Sequence, residues 1–339
     1  MIFRKSVSLK FVFAIALIVV GVASYSFAKP DATTREFDFT YKVTVPALAP
    51  GGAPLHLWIP VPPSDQYQTI SNLKIDSPVD SKIETEPEYG NRFAHFVVPP
   101  ERAPAPFDIT LHFQAARREH RVALDGLHPA ALTPAKFTPE LKRSLQPDQM
   151  VPLDGAIADL AHQQLDGLTD PLQQARKAYE YIVSTMKYDK SGQGWGRGDA
   201  VWACDSKRGN CTDFHSVFIG MMRAKGIPAR FEIGFPLPDS KSEGEIPGYH
   251  CWAEFYLEGV GWVPVDASEA WQHPEKHDYV FGAHDDNRVM LTSGRDIRLS
   301  TDHKGPRLNY FIYPYAEQDG KPAELKSKFA FQDRTRQSD

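Results

Sequence analysis

The feature that most constrains the fold is a change in hydrophobic period between the two halves of the chain. Over residues 37–45, apolar side chains recur at every second position, which is the period of a β-strand with one buried face. The same alternation returns at 55–61 and at 107–113, and turns rich in proline and glycine separate these segments. Short strands joined by such turns predict a β-sandwich in this half.

Beyond residue 155, apolar residues follow the helical period instead. A second helical pattern runs over 171–186, and the glycine-rich stretch 188–199 that follows predicts an ordered loop. We therefore expect an α+β protein in which an N-terminal β-sandwich precedes a core that contains helices. The predicted boundaries are 29–122 for the β-sandwich, 123–154 for a linker, 155–320 for the second domain and 321–339 for a C-terminal tail.

The first 28 residues predict a signal peptide. Three basic residues precede an apolar run at 11–23, and Ser26-Phe27-Ala28 offers small residues for cleavage after Ala28. An uncleaved membrane anchor is the alternative, but the run is short against the roughly 20 residues that a spanning helix needs. We expect a periplasmic or secreted protein with no membrane span after cleavage.

Composition limits the classes of partner that can be expected and bears on whether the cysteines are free or paired. A net charge of −5 and a pI near 6.2 give no electrostatic reason to expect nucleic acid. The chain has 3 cysteines, and an odd number in an oxidising compartment leaves at least one thiol free or pairs it between chains. A disulfide between Cys204 and Cys251 would spare Cys211 and stays open.

The segment Gly209-Asn-Cys-Thr-Asp-Phe-His215 sets a cysteine at the predicted start of a helix. Asn210 is a favoured N-cap residue, and Asp213 three positions later can complete a capping box. Gly226-Ile-Pro228 is expected to end this helix. Because a helix N-terminus stabilises negative charge, the position favours the reactive thiolate of Cys211.

A β-hairpin downstream supplies a histidine and an aspartate. Strand alternation separates the face of His250 from that of Cys251, which predicts a buried structural thiol at Cys251 pointing away from the histidine. The turn at 258–261 leaves two registers open, with Asp266 opposite either Cys251 or Ala253. In both registers Asp266 lies near His250 and can accept an imidazole N–H.

Cys211, His250 and Asp266 thus have the chemistry of a nucleophile, a base and an orienting carboxylate. The motifs around them, GNCTDF, GIPAR, GYHCWAEFY and GWVPVDAS, resemble the bacterial transglutaminase-like superfamily over about residues 179–268. A looser match continues to residue 315. The resemblance implies a papain-like α/β core, in which the cysteine helix packs on an antiparallel sheet that carries the histidine and the acid. It also implies acyl transfer at a carboxamide through a cysteine acyl-enzyme.

Other features of the site are less constrained. The backbone N–H of Cys211 is the first expected oxyanion donor. The resemblance implies a tryptophan indole as the second donor in some members, and Trp195 and Trp202 are candidates without a matching motif.

Metal binding is an alternative use of the same residues. Cys211 and His215 lie four apart on a helix, and His250 and Cys251 could add ligands. Strand alternation splits the latter pair, however, and zinc sites usually show two close-spaced ligand pairs. We expect no cofactor and no metal, with His215 in a supporting or packing position. Three histidines in the strand-like segments are expected to be surface or packing residues: His56, His95 and His112.

The sequence therefore predicts an exported transglutaminase-like thiol enzyme that acts on amide bonds of proteins or peptides. Water as acceptor would make it a peptidase or amidase, and an amine would make it a crosslinking enzyme. The alternative is a non-catalytic envelope binding or scaffold protein that keeps the fold. The substrate and the oligomeric state stay open.

Overall fold

The computed structural model describes residues 33–334, and the predicted signal peptide lies outside this range. Between these residues, no helix is both long enough and apolar enough to cross a lipid bilayer. The first seven strands are β1 (Thr34–Val45), β2 (Leu55–Val61), β3 (Gln68–Asp76), β4 (Ser81–Thr85), β5 (Arg92–Val98), β6 (Phe107–Arg118) and β7 (His120–Arg121).

The second half mixes helices and strands. In chain order, its elements are α1 (Pro139–Arg143), α2 (Gly155–Leu165), α3 (Pro171–Thr185), β8 (Lys187–Tyr188), α4 (Ala200–Ser206), β9 (Arg208–Gly209), α5 (Cys211–Ala224), β10 (Ala229–Pro236), β11 (Glu243–Glu245), β12 (His250–Leu257), β13 (Gly261–Val265), α6 (Ala267–Gln272), β14 (Ala283–His284), β15 (Arg288–Ser293), β16 (Tyr315–Gln318), β17 (Lys321–Ala323) and β18 (Lys326–Asp333).

Two five-stranded antiparallel sheets form the predicted β-sandwich. One has the strand order β11-β18-β1-β6-β3 and the other β17-β16-β2-β5-β4. The alternation seen in the sequence is the packing pattern, because every second residue of β1 from Phe37 to Val45 is buried. Leu55, Leu57 and Ile59 of β2 join the same core from the facing sheet. Burial of alternating positions from both sheets is what stabilises such a sandwich.

The outer face of the second sheet is also covered. Trp58 of β2 points away from the sandwich core and is fully buried in a second apolar cluster. The chain after β15 supplies the cover, with Ile297, Leu299 and Phe311 packed against Trp58 and Phe93. The sandwich and the second half are therefore joined through this segment.

The second half has the α+β architecture that was expected. An antiparallel sheet of order β13-β12-β10-β15 packs against α5, and α2, α3 and α4 pack against the other sides of that helix. Residues 211–223 of α5 are all buried. A helix enclosed in this way holds its first residue in one position, which prepares the site described below.

The predicted C-terminal tail from residue 321 is wrong for most of its length. Residues 321–323 form β17, and β18 pairs with β1 over eight residues, from Phe37↔Asp333 to Thr44↔Lys326. β16, which was assigned to the second domain, pairs with β2. The sequence of β18 is largely polar, with only Phe329 and Phe331 buried among its apolar residues, so tertiary pairing rather than local pattern makes it a strand.

The predicted linker at 123–154 is also partly structured. It contains α1, and the buried Asp148 accepts hydrogen bonds from Arg143 (2.7 Å) and Arg223 (2.6 Å). Since Arg223 lies on α5, this ion cluster attaches the connection to the central helix. The other boundaries stay predictions.

Candidate active site

The start of α5 has the predicted cap. The side chain of Asn210 accepts the N–H of Thr212 at 3.0 Å, and the carboxylate of Asp213 accepts the N–H of Asn210 at 2.9 Å. This capping box makes Cys211 the first residue of the helix, as expected. The thiol is 2% exposed and lies where the free N–H groups of the helix favour negative charge.

Asp213 also fixes the glycine-rich loop over the start of the helix. Its carboxylate accepts the N–H groups of Gly196 at 2.7 Å and Gly198 at 2.9 Å. A short acidic side chain thus binds both the helix N-cap and the loop that covers it. Gly209 allows this, because a Cβ at that position would lie 2.3 Å from the Asp213 carboxylate.

Arg295 holds the same loop from the other side. Its guanidinium is almost fully buried and donates to the carbonyl of Gly198 at 2.7 Å, the carbonyl of Arg197 at 2.8 Å and the hydroxyl of Ser216 at 2.8 Å. Gly198 has φ of +62°, and a Cβ there would lie 2.6 Å from the Ser216 oxygen. Glycine is therefore required by both conformation and space.

The β12–β13 hairpin brings His250 and Asp266 together, but in neither predicted register. The loop has three residues, Leu257 pairs with Gly261, and the ladder ends at Ala253↔Val265. Asp266 therefore lies level with Trp252, on the face that carries His250. Both predicted registers would have put it on the opposite face, because side chains alternate along a strand. In the structure His250 Nε2 lies 2.5 Å from Asp266 Oδ2.

Asp266 is fully buried and has several hydrogen-bond and ion-pair partners. Its Oδ1 accepts from the hydroxyl of Ser268 at 2.9 Å and from the N–H of Glu269 at 2.8 Å, as the N-cap of α6. His215 Nε2 lies 3.4 Å from the same oxygen, and Arg288 Nη1 lies 3.8 Å from Oδ2. Burial alone would raise the pKa of Asp266, but His250 and His215 hold it well below its usual value. The carboxylate therefore stays ionised.

Cys211 and His250 have opposite pKa shifts that favour an ion pair. Burial would lower the pKa of His250, but Asp266 and the contact with Cys211 raise it well above the usual histidine value. A hydrogen bond from the Cys251 thiol, together with His250, outweighs burial and holds the pKa of Cys211 well below that of a free thiol. Both shifts favour a thiolate beside an imidazolium.

Cys251 is buried as predicted, but it lies beside Cys211. Its thiol donates to Thr212 Oγ1 at 3.7 Å, its sulfur lies 3.9 Å from His215 Nδ1, and its proximity to Cys211 lowers the pKa of that thiol. Burial raises the pKa of Cys251, so it remains a neutral donor. All three cysteines are free, and the open alternative of a Cys204–Cys251 disulfide is therefore wrong.

Neither tryptophan considered for the oxyanion hole is directed at Cys211. Trp195 Nε1 donates to the carbonyl of Gly192 at 3.2 Å, and the ring of Trp202 packs under Gly194. Sequence reasoning missed Tyr188 instead: burial and then the charge of Cys211 raise the pKa of its hydroxyl, so the phenol lies beside that residue.

The position of Tyr188 follows from local pairing. Parallel pairing of β8 with β9 sets Tyr188 beside Gly209, two residues before Cys211. Burial raises the pKa of Tyr188, so its hydroxyl keeps its proton. Its location after a helix and before the glycine-rich loop was the only signal in the sequence.

Three further tyrosines continue the rim of the site. The hydroxyl of Tyr249 lies 3.2 Å from Asn210 Nδ2 and 3.1 Å from Thr212 Oγ1, beside the start of α5. Tyr310 packs against Tyr249 with ring centroids 5.6 Å apart, and Tyr313 meets Tyr249 edge-on at 6.0 Å. Tyr313 is 40% exposed, so an aromatic surface leads from the helix start to solvent.

Among residues 33–334, no group of side chains with metal-ligand geometry includes Cys211. Two groups there have ligand atoms within 4.8 Å of one another, His56–His95–Asp302 and His250–Asp266–Glu269. In the second group, both Asp266 oxygens have the partners given above, and Glu269 binds Lys276 at 2.7 Å and Arg288 at 3.1 Å. Hydrogen bonds and ion pairs therefore account for that group.

Comparison with known proteins agrees with this architecture. The sequence profile of the transglutaminase-like superfamily matches residues 158–267, which include Cys211, His250 and Asp266. An uncharacterized protein of Haemophilus influenzae is 28% identical over 327 residues, covering 86% of this chain and 88% of that protein. YebA of Bacillus subtilis is 29% identical over 79 residues, which are 21% of this chain and 11% of YebA.

A solved structure shows the same fold along most of the chain. It is that of a candidate cysteine protease from Cytophaga hutchinsonii, with a TM-score of 0.60 and 13% sequence identity. The match covers 89% of this chain and 98% of that protein, so it includes the β-sandwich as well as the second half.

Proposed function

Because residues 158–267 identify this chain as a transglutaminase-like superfamily protein, we propose that it is a thiol enzyme acting on amide bonds of proteins or peptides. Cys211 is the nucleophile, His250 the general acid and base, and Asp266 the orienting carboxylate. The observation that carries the proposal is the buried Cys211–His250–Asp266 set, with its lowered thiol pKa and raised imidazole pKa. A protein that served only as a scaffold would have no physical need for this pair of shifts.

The first half-reaction follows from the resting ion pair. The Cys211 sulfur donates an electron pair to the amide carbon, and the carbonyl π electrons move onto oxygen. The imidazolium of His250 then gives its proton to the amide nitrogen, the C–N bond breaks, and an amine leaves an acyl-thioester on Cys211. Asp266 keeps hold of the Nε2 proton throughout, so the nitrogen that faces the sulfur carries out the transfer.

The second half-reaction determines the product. Neutral His250 removes a proton from water or from an amine, which attacks the thioester and releases the Cys211 thiolate. Water gives hydrolysis, and an amine gives acyl transfer. Water is the default acceptor, and we therefore propose hydrolysis as the main reaction and transfer as the competing one.

Two donors are available for the tetrahedral intermediate. Cys211 is the first residue of α5, where backbone N–H groups have no helical partner, and the hydroxyl of Tyr188 lies beside it, so an oxyanion bound there would accept from both. The aromatic rim of Tyr249, Tyr310 and Tyr313 supports binding of an extended peptide beside the thiol. Phenol side chains offer both apolar contact and hydrogen bonds to a peptide backbone.

Export is part of the proposal and rests on the sequence of residues 1–28. A periplasmic or secreted enzyme would meet envelope or extracellular proteins and peptides, and we propose these as the substrate class. Nothing in the charge of the chain favours nucleic acid as a partner.

The decisive experiment is the pH dependence of Cys211 alkylation by iodoacetamide, with the label located by mass spectrometry. We expect rapid labelling well below the free-thiol pKa of about 8.5, and loss of this reactivity in His250→Ala. Cys204 is the internal control, because burial raises the pKa of its thiol and it should label only at alkaline pH. Slow labelling of Cys211 with an ordinary pH profile in both proteins would favour the scaffold alternative.

Reaction type is tested with the wild type and Cys211→Ser. Quenched fluorescent peptides report hydrolysis, and incorporation of a fluorescent primary amine into a glutamine-containing protein reports acyl transfer. Either signal should disappear in Cys211→Ser. Activity that survives in Cys211→Ser would refute the acyl-enzyme.

A further inference from the structure

A histidine pair lies on the outer face of the second sheet of the sandwich. β2 and β5 are antiparallel with Trp58 opposite His95, so His56, two residues before Trp58, lies diagonally across from His95. His56 Nδ1 and His95 Nε2 are 3.2 Å apart. The ring centroids are 5.4 Å apart with planes inclined by 27°, so the rings meet edge to edge through these nitrogens.

A carboxylate reaches the same place from a distant part of the chain. Asp302 lies in the turn that follows Leu299, after β15. Arg298 shapes this turn by donating to the carbonyls of His303 at 2.8 Å and Gly305 at 2.7 Å. One ligand atom from each of His56, His95 and Asp302 lies within 4.8 Å of the other two.

We infer that His56, His95 and Asp302 bind one divalent first-row transition metal ion, of which zinc is the representative. Two imidazole nitrogens at roughly 2.0–2.1 Å from a tetrahedral zinc ion lie roughly 3.3–3.4 Å from each other, and the observed separation is 3.2 Å. Imidazole with carboxylate is a donor set that suits this class of ion, whereas magnesium and calcium take oxygen ligands.

The surroundings of His95 fit a metal ligand. Its ring stacks on Trp58 with centroids 4.8 Å apart and planes inclined by 6°, which fixes the ring orientation. The nitrogen that faces away from His56, Nδ1, lies 3.6 Å from Glu84 Oε1. Ligating histidines commonly present their second nitrogen to a carboxylate in this way, and that carboxylate strengthens the metal bond.

The site is open to solvent and separate from the thiol chemistry. Asp302 is exposed and His56 half-buried, so an ion can reach the ligands and keep a water molecule as the fourth ligand. The ion would join the sandwich to the turn at 298–306 and stabilise the covering segment on Trp58. The inference does not depend on the proposed enzymatic activity.

The test uses the full-length protein, freed of metal with a chelator and then titrated with zinc chloride by calorimetry. We expect one equivalent of zinc per chain in the wild type and in His112→Asn, which changes an exposed histidine on the other sheet. His56→Asn and Asp302→Asn should lose this binding. Glu84→Gln should weaken it about 10- to 100-fold, as expected for a group behind a ligand.

The active site must be excluded as the source of the signal. His250→Ala should still bind one equivalent of zinc per chain. Cobalt in place of zinc should give a visible spectrum without sulfur charge-transfer bands. If zinc binding were absent from the wild type, unchanged in His56→Asn, or lost in His250→Ala, the inference would be overturned. His95→Asn is a secondary variant, since His95 is buried and its replacement can disturb folding; His56 and Asp302 decide the outcome without it.

Discussion

Replacing Glu232 with glutamine should make the protein more stable above neutral pH and leave its stability near pH 4.5 unchanged. Glu232 is 5% exposed and accepts the indole N–H of Trp252 at 2.9 Å. Its other oxygen lies 3.1 Å from Arg230, but that guanidinium also binds Glu254 at 2.6 Å and Glu140 at 2.7 Å. One arginine therefore forms ion pairs with three carboxylates, and two of these carboxylates are buried.

The distribution of charge in this cluster sets the size of the expected change in unfolding free energy. Burial would raise the pKa of Glu254, but Arg230 lowers it to about 2, so Glu254 holds the negative charge. Burial, followed by repulsion from Glu254, raises the pKa of Glu232 from 4.5 to about 7. At about 1.4 kcal/mol for each pKa unit, ionising Glu232 in the folded protein opposes folding by an amount on the order of 3 kcal/mol.

The direction in which stability changes with pH follows from proton binding. Between pH 4.5 and about 7 the unfolded chain has lost the Glu232 proton while the folded chain keeps it, so rising pH favours unfolding. The contribution is fully present below pH 4.5 and is lost above about pH 7. Glutamine keeps an oxygen for the Trp252 N–H and has no proton to lose, so the variant should lack this decline.

The assay is urea unfolding followed by tryptophan fluorescence at several pH values from 4.5 to 8. The free energy of unfolding of Glu232→Gln should exceed that of the wild type by about 3 kcal/mol at pH 8 and should match it near pH 4.5. Glu140→Gln is the matched control, since its carboxylate binds the same arginine but is mostly exposed. A stability difference that stays constant across the pH range would refute the reasoning.

Three further predictions concern the site. Asp266→Asn should lower kcat/KM by as much as about 10⁴-fold through the wrong imidazole tautomer, and an activity near wild type on the peptide assay would contradict that assignment. Tyr188→Phe should lower kcat by about 10²- to 10³-fold with little change in KM, whereas Trp195→Phe should be nearly silent in the same kinetics. Gly198→Ala should lower the unfolding free energy by about 1–3 kcal/mol and slow Cys211 alkylation. Gly192→Ala is the control and should have smaller effects on both, because its added Cβ would meet only the end of a flexible arginine. Equal melting temperatures of the two variants would argue against the steric account.

Much of the fold and of the site could be predicted because the signals were local. The strand period over 37–45 and the helical period after residue 155 correspond to the buried faces that the structure has. The capping box at Asn210 and Asp213 is a short-range pattern, and it fixed the first residue of α5 correctly. The family resemblance added the pairing of a cysteine helix with a histidine strand. The catalytic assignment itself stays a prediction.

The features that were missed depend on contacts between distant parts of the chain. The hairpin register turned on whether the loop had an odd or an even number of residues, which its glycines do not reveal. Tyr188 reaches Cys211 only because β8 pairs with β9. His56, His95 and Asp302 come from three separate segments, so no spacing rule could have grouped them.

The pairing of β18 with β1 has a consequence for how the protein is made. The ribosome synthesises β1 long before β18, so an early strand waits for a late partner. Until then, one edge of the first sheet has unpaired backbone groups that invite pairing with other chains. The sandwich is therefore completed after the half that contains the helices has been synthesised, and chaperones that hold nascent chains would protect β1 in the interval. An N-terminal fragment ending at residue 122 should aggregate, although its own sequence looks like a whole domain.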